Sequence, residues 1–224
     1  MTLVRALPGL VFAVILSAGL TAQAEGQQSE ENRASTPSTI ENNSPMKKQN
    51  MRAVILTADK FEDMELFFPL FRLLEMGWDV DVAAPDTTAI GGEHGYSLRP
   101  QLTFDRVNPD NYDLLLIPGG FPDGAPATVR KNQKAREITK SFFDKNKLVA
   151  SICHGPWTLA DAGVVKGRHL TSYWHDGVPE DIRAAGGLWE DNEVVVDGNL
   201  ITSRWPMDLP AFMREIAKKF DEAK

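Results

Sequence analysis

The sequence predicts an α/β domain in which helices cover both faces of a mostly parallel β-sheet, a three-layer sandwich with a small β-hairpin appendage. Runs such as RAVILT (52–57) and YDLLLIP (112–118) are apolar throughout, as strands buried on both faces are. Longer segments with helical apolar spacing lie between such runs. Near the end of the chain, Asp197-Gly198 separates two β-branched runs, which is the signal of a hairpin turn.

The elements can be placed in order along the chain. Apolar or alternating runs predict strands at 52–57, 78–85, 112–120 and 147–153. Helical spacing predicts helices at 63–77, 133–146, 156–163 and 207–220. Residues 97–107 and 169–173 read as short extended pieces, and residues 193–203 as the hairpin. The first helix ends on Gly77, and Pro69 inside it predicts a kink or a late start.

The first 50 residues differ in composition from the rest. Arg5, an apolar run and the small-x-small motif Ala22-Gln23-Ala24 predict a secretory signal peptide over residues 1–24, and hence export to the periplasm. Residues 25–50 are mostly polar and are predicted to form a disordered linker, because they bury too little apolar surface to offset the ordering entropy. Residues 51–224 then form one domain.

Charge and the single cysteine narrow the function. The formal net charge is −7, which argues against general nucleic-acid binding. A lone cysteine, Cys153, cannot form an internal disulfide, so a chemical role is favoured for it. The histidines have none of the short-range spacing of zinc ligands, so neither a metal nor a cofactor is predicted; they are His94, His154, His169 and His175.

The segment KLVASICHGPWTLADAG (147–163) places Cys153 between a buried strand and a helix start. This pattern is typical of a nucleophile elbow, a sharp turn that exposes its central side chain and crowds its neighbours. The small residues Ser151 and Gly155 satisfy that crowding. The helix start is expected to favour the thiolate over the thiol.

Two other strand ends carry groups that fit this chemistry. The glycines of LLLIPGG leave backbone N–H groups free to approach a substrate, so Gly120 and His154 N–H are predicted to form an oxyanion hole with Gly119 alongside. The segment DKFEDMEL (59–66) supplies carboxylates; Glu62 is the preferred partner of the thiol and Glu65 the alternative. Asp63 is expected to cap the following helix.

The role of His154 stays open on these grounds. Its ring either takes the thiol proton, as in Cys–His pairs, or points sideways. In the second case either only its backbone N–H serves the site or the ring acts through a bound substrate.

The motifs LTADKFEDMEL, GGEHGYS, VASICHGPWTLADAG and EVVVDGNLITSR resemble those of the ThiJ/PfpI superfamily, and most of all its PfpI branch. The resemblance spans residues 52–220 and implies a flavodoxin-like fold of the class I glutamine-amidotransferase type. It implies that Cys153 is the nucleophile, Glu62 its carboxyl partner and His154 the histidine of the protease branch. It also implies that Gly120 and the His154 backbone are oxyanion donors and that Tyr173 lies near the site.

One position departs from that branch. Its protease members complete a Cys-His-Glu triad with a glutamate from a neighbouring subunit, shortly after the Gly-Gly turn. Here that position falls on Ala127, and Asp123 is the nearest substitute in sequence.

The resemblance therefore implies a cysteine-dependent enzyme, with a reactive carbonyl compound as the preferred substrate, in the manner of glyoxalase III or a deglycase. A PfpI-like cysteine peptidase is the first alternative, and a non-enzymatic redox sensor or chaperone the second. The expected partners are a small carbonyl compound or a peptide and further copies of this chain, as a dimer or larger assembly, with no nucleic acid and no membrane after signal cleavage.

Overall fold

The computed structural model describes residues 51–221. The predicted signal peptide (1–24) and linker (25–50) lie outside the described residues and stay predictions. Within the described part, no helix is both long and apolar enough to cross a membrane.

The described residues form eleven strands and six α-helices. The strands are β1 (Arg52–Leu56), β2 (Asp79–Ala84), β3 (Ile90–Gly91), β4 (Ser97–Leu98), β5 (Leu102–Thr103), β6 (Leu114–Ile117), β7 (Leu148–Ile152), β8 (His169–Leu170), β9 (Leu188–Trp189), β10 (Val194–Asp197) and β11 (Leu200–Ser203). The α-helices are α1 (Asp63–Glu75), α2 (Ala125–Lys131), α3 (Gln133–Asp144), α4 (Pro156–Asp161), α5 (Val178–Ala184) and α6 (Leu209–Asp221).

Seven strands form the central sheet in the order β10-β11-β7-β6-β1-β2-β5. All neighbours are parallel except β10 and β11. The predicted α/β architecture is therefore confirmed. The hairpin is less separate than predicted, because β11 pairs in parallel with β7, with Thr202 opposite Ser151. It extends the sheet instead of standing as an appendage.

The central strands are buried on both faces. Every residue of β6 and β7 is buried, as are the last four of β1. Because successive side chains in a strand point to opposite faces, both faces of the sheet must be covered. One group of helices pairs α1 with α6, and a second joins α2, α3, α4 and α5 through mutual contacts.

Three helical features differ from the sequence prediction. Helix α1 begins at Asp63 and runs through Pro69, so it does not start late. Helices α2 and α5 were not predicted. Each has seven residues, follows a glycine and carries a proline in its first turn, and so short a segment offers little apolar periodicity to read.

Candidate active site

The candidate site lies where three adjacent strands end. In the sheet, β6 is the neighbour of both β1 and β7. The carboxyl end of β1 leads to the acidic start of α1, β6 leads to Gly119-Gly120, and β7 leads to Cys153. Parallel strands bring their carboxyl ends to one edge, which is where ligands bind in such sheets.

Cys153 sits on a strained turn. Its φ angle is 62°, in the left-handed region that non-glycine residues rarely enter. A Cβ at Gly155 would lie 2.4 Å from the Ile117 carbonyl oxygen and 2.6 Å from Ser151 Oγ. The turn therefore requires glycine at position 155, as expected of a nucleophile elbow.

The His154 ring touches the thiol. Its Nδ1 lies 3.3 Å from Cys153 Sγ, and its Nε2 lies 3.0 Å from Asp176 Oδ2. The Nε2–H of the ring donates a hydrogen bond to the Asp176 carboxylate. The lone pair on Nδ1 is then free to accept the thiol proton. Of the two roles considered for His154, the structure supports the base.

Aromatic rings hold the imidazole on two sides. The Trp157 ring centroid lies 5.0 Å and the Tyr173 ring centroid 4.8 Å from that of His154. The Tyr173 N–H also donates to the Cys153 carbonyl oxygen at 2.9 Å. Tyr173 therefore lies beside the site, where its ring limits the rotation of His154.

The carboxyl beside the thiol belongs to Glu65. Glu65 is fully buried, and its Oε2 accepts a 2.8 Å hydrogen bond from Gly119 N–H. Its Oε1 has no hydrogen-bond partner in the described chain. A Cβ placed on Gly119 would lie 2.7 Å from Glu65 Oε2 and 2.6 Å from Cys153 Cβ, so the carboxyl and the Cys153 side chain are close neighbours. The prediction that Glu62 is the partner of the thiol is therefore wrong in this structure.

Glu62 is instead used by the helix. It is the N-cap of α1, and its Oε2 accepts a 2.7 Å hydrogen bond from Glu65 N–H. Its other carboxylate oxygen, Oε1, lies 4.0 Å from His94 Nε2, so the side chain is directed to the helix start and to His94. Asp63 is not the cap either; its carboxylate accepts from the His94 and Tyr96 backbone N–H groups at 2.8 and 3.0 Å.

The two glycines after β6 have separate roles. The Gly119 N–H is taken by Glu65, so it is unavailable to a substrate. The N–H groups of Gly120 and His154 face the sulfur of Cys153, and both lower its pKa. These two amides match the predicted oxyanion pair, whereas Gly119 serves by its small size.

Burial sets the protonation of the site. It raises the pKa of the Glu65 carboxyl well above its usual range, and the nearby charge of Glu62 raises it further. Burial also raises the pKa of the Cys153 thiol, and an ionised Glu65 would add to that effect. Burial therefore outweighs the expected influence of the helix start: Cys153 rests as a thiol at neutral pH, and Glu65 holds its proton to a higher pH than an exposed carboxyl does.

His154 is suited to act as the base. Burial lowers the pKa of its imidazole, and the hydrogen bond to Asp176 partly opposes that shift. The ring is therefore neutral at neutral pH and free to take a proton from the thiol.

Within residues 51–221, no three His, Cys or carboxylate side chains form a group suited to a metal ion.

Gly119→Ala should damage both the site and the fold. An added Cβ would lie 2.6 Å from Cys153 Cβ, 2.7 Å from Glu65 Oε2 and 2.9 Å from His154 N. We expect a loss of about 1–3 kcal/mol in the free energy of unfolding, as for other overpacked cores, measured by urea denaturation.

Gly91→Ala is the matched control, because its Cβ would meet only Asp59 Oδ1, at 3.6 Å. Equal stability of the two variants would contradict the packing described around Gly119.

The loop after the Gly-Gly turn holds no acid near the histidine. Asp123 is exposed and lies 3.6 Å from Lys60 Nζ, and Ala127 lies within α2. Neither position supplies a carboxylate to His154 within the described chain.

Asp176 is a site residue that was not predicted from the sequence. This residue lies in YWHDGVPED (173–181), between elements, with no motif around it. A positive φ of 60° at Asp176 followed by 81° at Gly177 marks a tight turn, and an Asp-Gly pair is a turn signal. That signal could have located the turn, but not its contact with His154.

A sequence profile of the DJ-1/PfpI family matches residues 51–219, and the chain belongs to that family. Among solved structures, Drosophila melanogaster DJ-1beta superposes with a TM-score of 0.69 at 28% identity, covering 76% of this chain and 90% of the other. A two-domain protein from Anabaena variabilis with DJ-1/ThiJ/PfpI-like and ferritin-like domains gives 0.72 at 31% identity, covering 76% and 50%. These matches agree with the flavodoxin-like fold expected from the motifs.

Similar curated proteins carry enzyme names. "Deglycase PfpI" from Pyrococcus furiosus is 51% identical over 168 residues, which is 75% of this chain and 98% of that protein. "Putative cysteine protease YraA" from Bacillus subtilis is 37% identical over 167 residues, covering 73% and 95%. The names support an enzyme of this family and leave more than one reaction type to consider.

Proposed function

We propose that this protein is a cysteine-dependent enzyme that acts on reactive carbonyl compounds, in the manner of a glyoxalase III or a deglycase. The observation that carries the proposal is the buried Glu65 carboxyl beside Cys153, which is present in addition to the Cys153–His154 contact. The thiol thus has two proton-transfer partners. The name of the Pyrococcus furiosus relative, a deglycase, points the same way.

The first step is addition of the thiol to an aldehyde. With methylglyoxal, Cys153 Sγ attacks the aldehyde carbon as its proton passes to His154 Nδ1. The carbonyl oxygen becomes an oxyanion, which the N–H groups of Gly120 and His154 stabilise. The proton then returns from His154 to that oxygen, giving a hemithioacetal with all atoms accounted for.

The second step moves a hydrogen between adjacent carbons. The hemithioacetal loses one proton from its carbon and one from its hydroxyl group, while the neighbouring carbonyl carbon and its oxygen each gain one, which yields a thioester of lactate. The Glu65 carboxylate is suited to exchange the carbon-bound proton, because burial raises its pKa well above that of an exposed carboxyl and so makes it a stronger base. Water then cleaves the thioester, releasing lactate and restoring the thiol.

The carbonyl reaction accounts for Glu65 better than peptide hydrolysis does. A cysteine peptidase needs a nucleophile, a base and an oxyanion hole, and Cys153, His154 and the two amides supply these. It has no use for a second proton carrier, a carboxyl buried beside the cysteine. A buried carboxyl is costly to keep, so its presence favours a reaction that employs it.

Lactate formation from methylglyoxal tests the proposal. Purified protein is incubated with methylglyoxal and lactate is followed by NMR, with the Cys153→Ser variant in parallel. The proposal expects lactate from the wild type only. Equal, slow loss of methylglyoxal in both samples, without lactate, would overturn it.

A cysteine peptidase is the second candidate, and one observation favours it. The contacts of His154 with Cys153 and Asp176 form a Cys-His-acid set, the arrangement used by such enzymes. The name of the Bacillus subtilis relative agrees with it. Hydrolysis of fluorogenic peptides that is lost in Cys153→Ser, without lactate formation from methylglyoxal, would select this candidate.

We also propose that the chain self-associates through one face of α1. Four large apolar side chains of this helix are more than 40% exposed, and exposed apolar clusters of this kind mark interfaces; they are Met64, Phe68, Phe71 and Leu74. The charged pair Arg72–Glu75 within the helix is already closed at 2.6 Å. A second copy of the chain presents the same apolar face of α1, on which Arg72 and Glu75 neutralise each other. Two such faces would therefore fit against each other.

Phe71→Glu is expected to shift the protein to a smaller assembly, because Phe71 is 61% exposed on this face and a charge there would have to be buried on association. Light scattering after size-exclusion chromatography measures the mass. Met207→Glu is the control, since Met207 is 68% exposed and lies outside α1. A monomeric wild type, or an unchanged mass in Phe71→Glu, would contradict the proposal.

A further inference from the structure

We propose that Asp176 is the positioning acid of His154 and that it is supplied by the same chain as the cysteine, so that one subunit carries a complete Cys-His-acid triad. This inference deepens the proposed function and rests on it. It replaces a requirement that the resemblance implied, a carboxylate from a neighbouring subunit.

The geometry of the contact carries the inference. Asp176 Oδ2 lies 3.0 Å from His154 Nε2, on the side of the ring away from the sulfur. The His154 side chain is 5% exposed, whereas that of Asp176 is 44% exposed. The carboxylate therefore caps the water-facing edge of a buried ring. Its hydrogen bond fixes the proton on Nε2, and that tautomer leaves Nδ1 able to accept from the thiol.

The loop that carries Asp176 is anchored at both ends. At its start, Tyr173 N–H donates to the carbonyl of Cys153 itself, at 2.9 Å. At its end, Val178 N–H donates to the His175 carbonyl at 3.2 Å, and Val178 is fully buried at the start of α5. The loop is therefore tied to the elbow directly, and the carboxylate position follows from the fold of a single chain.

The conformation of the loop suits an aspartate. Asp176 has a φ of 60° and Gly177 a φ of 81°. Among residues with side chains, Asp and Asn are the ones that tolerate this left-handed conformation best. Asn keeps the shape and loses the charge, so Asp176→Asn is a clean variant.

Few other charged groups reach His154. Cys153 contacts one ring nitrogen and Asp176 the other. Arg130 stacks on Trp157, 4.6 Å from its centroid, and is paired with Asp161 and Asp181. Tyr173 contributes its phenol ring. Asp176 is thus the carboxylate that can set the tautomer.

The first test uses the reactivity of the single cysteine, which needs no carbonyl substrate. The rate of Cys153 alkylation by iodoacetamide is followed by mass spectrometry from pH 5 to 10. In Asp176→Asn, the imidazolium formed on proton transfer loses its stabilising charge. We expect the neutral-pH rate to fall about 10- to 100-fold, by analogy with the loss seen when the hydrogen-bond partner of a metal-binding histidine is removed, and the profile to move to higher pH.

Two variants act as controls. Asp123→Asn changes the exposed acid after the Gly-Gly turn and should leave the profile unchanged. Asp176→Glu keeps the charge and should recover part of the rate, which a purely structural role of the loop would not produce. An Asp176→Asn profile equal to the wild type would overturn the inference.

The second test asks whether the acid acts within one chain. Asp176→Asn subunits, which have the thiol, are unfolded and refolded together with Cys153→Ala subunits, which have the acid. Alkylation of the Asp176→Asn thiol should stay slow in the mixture. Recovery to the wild-type rate would show an acid given across a subunit boundary and would overturn the inference. Both tests measure the rate of Cys153 alkylation and need no carbonyl substrate. Their outcome is therefore independent of whether the protein turns over carbonyl compounds.

Discussion

Replacement of Cys153 by serine is expected to lower methylglyoxal turnover at least ~10³-fold, because removal of a nucleophile from a Cys-His or Ser-His set has effects of that size or larger. The serine hydroxyl is a far weaker nucleophile than the thiol, and His154 cannot activate it as readily. The change in size is small, so the elbow should persist. Lactate production at several methylglyoxal concentrations gives kcat and KM for the comparison.

Two measurements establish whether a loss of activity in the Cys153 variants comes from misfolding. Circular dichroism and thermal unfolding should show Cys153→Ser and Cys153→Ala folded like the wild type, since the residue is 7% exposed and both replacements are small. Retention of more than a tenth of the wild-type kcat by either folded variant would remove Cys153 from the mechanism.

Glu65→Gln is expected to lower kcat about 10²- to 10⁴-fold, the usual contribution of a general acid or base. The amide oxygen of glutamine can still accept from Gly119 N–H, so the hydrogen bond at 2.8 Å and the packing are preserved. The amide cannot pass a proton between carbons. Addition of the thiol should therefore continue while the following proton shift stops.

Glu62→Gln is the matched control for that variant. Glu62 lies three residues earlier, is also buried and caps α1 through its side-chain oxygen, a contact that the amide oxygen can keep. We expect its kcat to stay within about tenfold of the wild type, below the size of a general acid–base effect. A larger loss in Glu62→Gln than in Glu65→Gln would restore the assignment first made from the sequence.

Glu65→Gln should also change how stability depends on pH. The folded-state pKa of Glu65 lies well above its ordinary value of 4.5, so the folded protein holds this proton more tightly than the unfolded chain. The resulting stability is fully present below pH 4.5 and is lost as the pH rises through the folded-state pKa. Urea unfolding across this range should show that the free energy of unfolding falls less steeply with pH in Glu65→Gln than in the wild type. An equal dependence on pH in the two proteins would contradict a buried Glu65 with a raised pKa.

The sequence predicts the central sheet and the elbow because both depend on local chemistry. Continuous apolar runs can be satisfied only inside a covered sheet, and the small residues around Cys153 fit only a sharp turn. The position of Gly120 followed from the same logic, since a strand end with paired glycines offers free N–H groups.

The acids of the site could not be read in this way. Glu62 and Glu65 both follow β1, and their roles depend on which residue begins the helix. Helix boundaries shift by one or two residues between equally good patterns, and a shift of one residue turns a side chain by about 100°. Asp176 was out of reach for a different reason, because it meets His154 through a tertiary contact across 22 residues of chain that no local pattern encodes.

Direct observation of the covalent intermediate is the closest test of the roles proposed for Cys153 and Glu65. Carbon-13-labelled methylglyoxal is added to Glu65→Gln and the protein-bound carbon is followed by NMR. A hemithioacetal signal is expected to persist in Glu65→Gln and to be absent in Cys153→Ser. In the wild type the signal should be replaced by that of free lactate. Lactate formed at the wild-type rate by Glu65→Gln, or the same bound signal in Cys153→Ser, would contradict the roles given to Glu65 and Cys153.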